Sequence, residues 1–153
     1  EVAASVKAIE GMTLDVGAKF RTWEGAPISV GVFWGMPVAG LALNANAEVS
    51  FSSNEVSGID TSKTEVKIGA GVGYDLGNGM GVGADVRYAQ AFSKVGDKSD
   101  SSDPAIAFAA WFDKGIANGT LGVAFQGATK TGIRDVEATD FTFAVPVRVQ
   151  CFF

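Results

Sequence analysis

Residues 41–51 run Leu-Ala-Leu-Asn-Ala-Asn-Ala-Glu-Val-Ser-Phe. Leu41, Leu43, Ala45, Ala47, Val49 and Phe51 take every second position, while Asn44, Asn46, Glu48, Ser50 and then Ser52 fill the positions between. Successive side chains of a β-strand point to opposite faces, so a period of two builds one apolar and one polar face. A helix would scatter the same residues around its circumference. The stretch is therefore expected to be a strand that is apolar on one side only.

The same alternation recurs on both sides of it. Segments near 13–23, 28–37, 40–53, 64–76, 80–92, 105–113, 120–129 and 139–153 each carry an apolar row. Examples are Leu14-Val16-Ala18-Phe20, Ile28-Val30-Val32-Trp34-Met36, Val66-Ile68-Ala70-Val72-Tyr74 and Val82-Ala84-Val86-Tyr88. No charged residue falls in any apolar row. The opposite rows hold Asp15, Lys19 and Arg21, then Glu65, Lys67 and Asp75 beside Gly69, Gly71 and Gly73, then Gly81, Gly83, Asp85 and Arg87. The sequence thus predicts an all-β, antiparallel, up-and-down chain.

Composition narrows the function classes. A single domain is expected of 153 residues. Glycine contributes 20 residues without a collagen period, which suits tight turns and close backbone approach. The net charge of −5 opposes nucleic-acid binding, which needs a basic face. Histidine is absent altogether, so the common triads, most zinc sites and the usual general base near neutral pH are missing. No enzyme activity, cofactor or metal is expected. Cys151 is the one cysteine, so no internal disulfide forms. Residues 1–5 lack the basic start and apolar run of a signal peptide, as in a chain already processed or one that is part of something longer.

Alternation also occurs in soluble sandwiches, whose apolar rows face a core. Three features favour a membrane instead. Short Gly-rich connections (36–40, 77–79, 114–119) alternate with longer charged ones (54–63, 93–103, 130–140), matching short periplasmic turns and longer extracellular loops; only 24–27 is short on the long-loop side. Aromatic residues such as Trp23, Trp34, Phe51, Tyr74, Phe92 and Phe112 gather near segment ends, as interfacial girdles do. Segment lengths match the roughly 9–11 residues that a tilted strand needs to span a bilayer. The expectation is a transmembrane β-barrel over 12–153, most simply of eight strands.

The C-terminus carries the most specific signal. Phe143, Val145, Val147, Val149, Cys151 and Phe153 alternate up to a terminal aromatic. This resembles the closing-strand signal of bacterial outer-membrane barrels, and with eight segments the chain resembles the small OmpA-, OmpX- and OmpW-like barrel proteins. Cys151 and the neighbouring Phe152 depart from the usual pattern. The resemblance implies location in a bacterial outer membrane, with lipid and lipopolysaccharide as surroundings. It also implies recognition of the C-terminal strand by the barrel-assembly machinery. Enzymes among such small barrels rely on His, which this chain lacks. Residues 1–11, with Val2, Ala4, Val6 and Ala8 alternating, form either a periplasmic segment or an extra strand; in the latter case the barrel has ten or more strands and the chain is part of a larger one.

In such a barrel the polar rows face inward. Lys19, Arg21, Lys67, Arg87 and Arg148 then oppose Asp15, Glu48, Glu65, Asp75 and Asp85, balanced in sign, as an interior charge network requires. An eight-stranded lumen is just filled by side chains, so a plugged interior is expected, with a narrow solute channel as the alternative.

Other motifs are weaker. The charge-free run 26–47 is interrupted by Pro27, Pro37 and several glycines and does not suit a spanning helix. Gly79-Met80-Gly81-Val82-Gly83-Ala84 loosely matches a dinucleotide fingerprint, but alternation continues through it where a helix should start. Asp97, Asp100 and Asp103 lack the Gly and Glu of a calcium loop.

Overall fold

The computed structural model describes residues 2–6, 10–20, 26–129 and 141–151. Eleven strands form one antiparallel sheet, and no helix occurs among the described residues. They are β1 (Val2–Val6), β2 (Thr13–Lys19), β3 (Ile28–Val38), β4 (Leu41–Val56), β5 (Ile59–Gly77), β6 (Met80–Val95), β7 (Lys98–Ser101), β8 (Ala105–Ile116), β9 (Gly119–Thr129), β10 (Phe141–Ala144) and β11 (Val147–Cys151). Each strand pairs with the next in sequence. The exceptions are β7 and β8, which both pair with β6, and β10 and β11, which both pair with β9.

These two exceptions explain why eleven strands replace the expected eight. Pairing of β7 and β8 to β6 changes register between Phe92↔Ser101 and Ala89↔Ala105, leaving one extra residue around Pro104. Ser102 bridges the bulge: its N–H donates to the Ala91 carbonyl at 2.8 Å, and its Oγ accepts from the Ala91 N–H at 3.0 Å. In β10 and β11 the register to β9 is unbroken, and the gap falls at Val145–Pro146, where proline has no N–H to give. The eleven strands thus occupy nine lanes, eight from the alternating segments and a ninth from β1.

Two of the expected long loops are strand. The turns that end them need only two residues. Ser57 and Gly58, at φ 55° and 76°, join β4 to β5, and Gly96, at φ 57°, opens the turn from β6 to β7. Positive φ at these positions matches the right-handed twist of the flanking strands. Residues 54–63 therefore continue the ladder to Val56↔Ile59, and Ser93–Ser101 extend it through β6 and β7. Ser and Thr, read as loop residues, pair here as an arm that projects beyond the rest of the sheet. The third expected loop, 130–140, lies outside the described residues.

At the other end of the sheet the turns are tight, as expected. Ala39–Gly40 and Asn78–Gly79 both have positive φ. The Asp75 carboxylate accepts from the Gly77 N–H at 2.7 Å, fixing the irregularity at the end of β5.

Closure is not observed. Among the described residues, no pairing joins β1 to β10 or β11, so the sheet has two free edges. Nor is there a core: no hydrophobic side chain is buried among the described residues. Among the described residues a single sheet has no second layer over it, which leaves both faces accessible.

Candidate functional site

Register decides what the alternation in sequence could only suggest, namely whether the separate apolar rows share a face. Leu14 pairs with Trp34, Trp34 with Ala45, Ala45 with Ala70, Ala70 with Val86, Val86 with Phe108, Phe108 with Gly127 and Gly127 with Phe143. The line crosses the sheet without changing sides. Ile28, Phe51 and Phe92, and likewise Val38, Leu41, Tyr74, Val82, Phe112, Val123 and Val147, lie on that face. On β4 the apolar row runs from Leu41 to Phe51, ten residue steps or about 33 Å along the strand. Beyond Phe51 the same face carries Ser53 and Glu55, and the paired positions of β5 carry Ser62 and Asp60. The apolar face is therefore a belt of finite height.

Several polar groups inside the belt are engaged. Tyr88 donates its hydroxyl to Gln90 Oε1, and Gln90 Nε2 donates to the Ser102 carbonyl at 3.1 Å. Lys114, one place beyond Phe112 in its row, donates to the Asn78 carbonyl at 3.0 Å in the neighbouring turn. Four phenylalanines cluster on this face. Phe108 lies 5.9 Å from Phe141 and 6.0 Å from Phe125, and Phe143 lies 4.7 Å from Phe141. They fit because Gly127 lies between them; a Cβ there would stand 2.7 Å from Phe108 and 2.9 Å from Phe141.

The opposite face collects the expected charges. Asp15 and Lys19 on β2, Glu48 on β4, Glu65, Lys67 and Asp75 on β5, Asp85 and Arg87 on β6, and Arg148 on β11 all fall on it by register. Arg21 lies outside the described residues. Pairing is mostly local. Lys67 stands directly across from Glu48, yet its Nζ sits 3.5 Å from Glu65 on its own strand. Arg87 and Asp85 pair in the same way at 3.4 Å. Glu48 accepts from Ser50 Oγ at 3.2 Å, and Ser50 shares a hydrogen bond with Ser29. These groups remain solvated; the Arg87 side chain is 77% exposed.

Arg148 reaches further. Its Nη2 donates to Asp113 Oδ1 at 3.3 Å across the intervening strand β9, passing over Gly122. Any side chain at Gly122 would collide with that carboxylate. Asp113 was absent from the expected set, as were Phe33 and Trp111, which share this face. The period of two predicts all three, since each sits between members of an apolar row, but two bulky aromatics break the polar character of the row. Trp111 lies over a floor of glycines. A Cβ at Gly81 or Gly73 would stand 3.6 or 3.8 Å from its ring, and one at Gly83 would run into it. Asn44 and Asn46 lie over Gly71 and Gly69 in the same manner.

Phe143, Val147, Val149 and Cys151 follow one another on the apolar face of β10 and β11, with Val145 at the break between them. Phe143, Val147 and Val149 are 64%, 67% and 63% exposed. Phe153 lies outside the described residues. Among the described residues no group of His, Cys, Asp or Glu has the arrangement to hold a metal ion. No protein-family model matches the chain, and no curated protein matches it either.

Proposed function

We propose that the protein is an integral β-barrel of a bacterial outer membrane, serving a structural or surface-interaction role rather than a catalytic one. The observation that carries this is the continuous apolar belt, with nothing among the described residues packed on it. Its 33 Å along β4, inclined at the roughly 35–45° usual for membrane barrels, spans about 25 Å, the height of their lipid-facing band. A soluble sandwich would cover such a face with a second sheet about 10 Å away, whereas all strands among the described residues belong to one sheet.

In this reading the charged face lines the interior. Lipid and lipopolysaccharide surround the belt, and the row ending in Phe143, Val147, Val149 and Cys151 serves assembly. The projecting arm of β4 to β7 stands clear of the bilayer as the surface available to partners. A narrow solute channel is the second reading. The glycines at 69, 71, 73 and 81 leave room on the inner wall, but Asn46, Asn44 and Trp111 lie over them, which favours the filled interior over the channel.

Electrophoresis in SDS, with and without boiling, tests the proposal after refolding into detergent micelles. A compact species that shifts on heating, with precipitation when detergent is removed, is expected. A soluble, folded protein in plain buffer with no shift refutes it. Silent planar-bilayer recordings would then oppose the channel.

A further inference from the structure

The nine lanes pose a problem of parity for a barrel. Strand direction reverses at every lane, so the first lane, β1, and the last, β10–β11, run the same way. Joining them directly would create a parallel seam in an otherwise antiparallel sheet. Single-chain bacterial barrels avoid this by having an even number of strands. Length raises the same difficulty. The five residues of β1 fall short of the roughly 9–11 needed to span, whereas β10 and β11 together run from Phe141 to Cys151. A seam built on β1 would leave backbone groups of β10–β11 unpaired in hydrocarbon, which membranes do not tolerate.

The next lane inward removes the fault of direction and lessens that of length, since β2 has seven residues against the five of β1. β2 runs antiparallel to β10–β11, and its apolar row of Leu14, Val16 and Ala18 lies on the same face as Val147, Val149 and Cys151. The edge of β2 that such a seam needs is the one that β1 occupies, through Val2↔Ala18, Ala4↔Val16 and Val6↔Leu14. Short edge strands are also a common means of shielding a sheet edge from pairing with other chains. We infer that β1 is a placeholder: residues 2–6 cover the edge of β2 in the open sheet and are displaced by β10–β11 when the barrel closes. The closed form then has eight antiparallel lanes, and residues 2–6 leave the sheet at its tight-turn end. This rests on the barrel reading above.

A reversible lock tests it. In a Cys151→Ser background, Ala4→Cys with Val16→Cys ties β1 to β2 when oxidised in dilute solution at low urea, before micelles are added and before the chain precipitates. The expected result is that the oxidised protein gives no heat-shifting species, while the same sample after reduction recovers the wild-type fraction. A double Ala3→Pro/Ala4→Pro variant, which removes N–H groups from β1, should keep the full shift. The inference is overturned if the locked protein closes as completely as the reduced one, if the disulfide fails to form in the open state, or if the proline variant loses the shift. Absence of any shift in the wild-type protein on the same gel would instead refute the barrel reading itself.

Discussion

Ala47 offers a direct measure of whether the apolar belt meets lipid. It lies four residues from Phe51 and six from Leu41, or about 13 Å and 20 Å along β4, and an inclination near 40° brings these to about 10 Å and 15 Å of depth. That places Ala47 close to the middle of a band about 25 Å tall. Its cross-strand neighbours are Val32 and Ile68, neither of which offers a countercharge. Replacing Ala47 with Arg should therefore cost about 2–4 kcal/mol, the range for a cation at the midplane of a barrel's lipid face. The unfolding equilibrium would shift roughly 30- to 900-fold. Leu41→Arg, at the margin, should lose no more than about 1 kcal/mol of electrostatic cost, and Ser53→Arg, beyond Phe51 on the same face, should be neutral. Urea titration of the protein in lipid vesicles, followed by tryptophan fluorescence or by the heat-sensitive gel band, measures all three. Equal stabilities for Ala47→Arg and Ser53→Arg would refute the belt, since water on that face makes depth irrelevant.

Other substitutions test individual parts of the sheet. Gly127→Val puts a side chain between Phe108 and Phe141 and should destabilise by about 1–3 kcal/mol through overpacking, read from the same urea titration. Gly58→Ala meets no atom within 4 Å, so only the strain at φ 76° remains; about 1–2 kcal/mol is expected, without loss of the arm's other pairings by amide hydrogen exchange. A double-mutant cycle on Arg148→Ala and Asp113→Ala should give a coupling below about 1 kcal/mol that falls further in high salt, because both groups are partly exposed. A salt-insensitive coupling would mean that this pair is shielded from water.

Much of the fold was legible in the chain because β-structure writes itself locally. Alternation in residues 41–51 and its repeats located every long strand, and the Gly-containing two-residue turns marked one end of the sheet. The arm was not legible in the same way. Asn54, Thr61, Ser62 and Ser93 resemble loop residues when read alone, and only pairing across the Ser57–Gly58 turn and to β5 makes them strand. The breaks at Pro104 and Pro146 are visible in sequence, but whether each ends a lane or merely interrupts it depends on the partner strand.

The charged face divides similarly. That Asp15, Glu48, Lys67 and Arg87 avoid the apolar rows is a property of the sequence; that they share one face follows from register, which no single strand contains. The choice of Glu65 over Glu48 as the partner of Lys67, and the reach of Arg148 across Gly122 to Asp113, are set by distances between strands. The sequence by itself determined strand identity, the two-sided character of each strand and the absence of histidine chemistry, because these depend on a residue and its near neighbours. The nine lanes, the single shared apolar face and the two edges left unpaired among the described residues come from tertiary structure, because hydrogen bonding between distant segments fixes which backbone groups find partners.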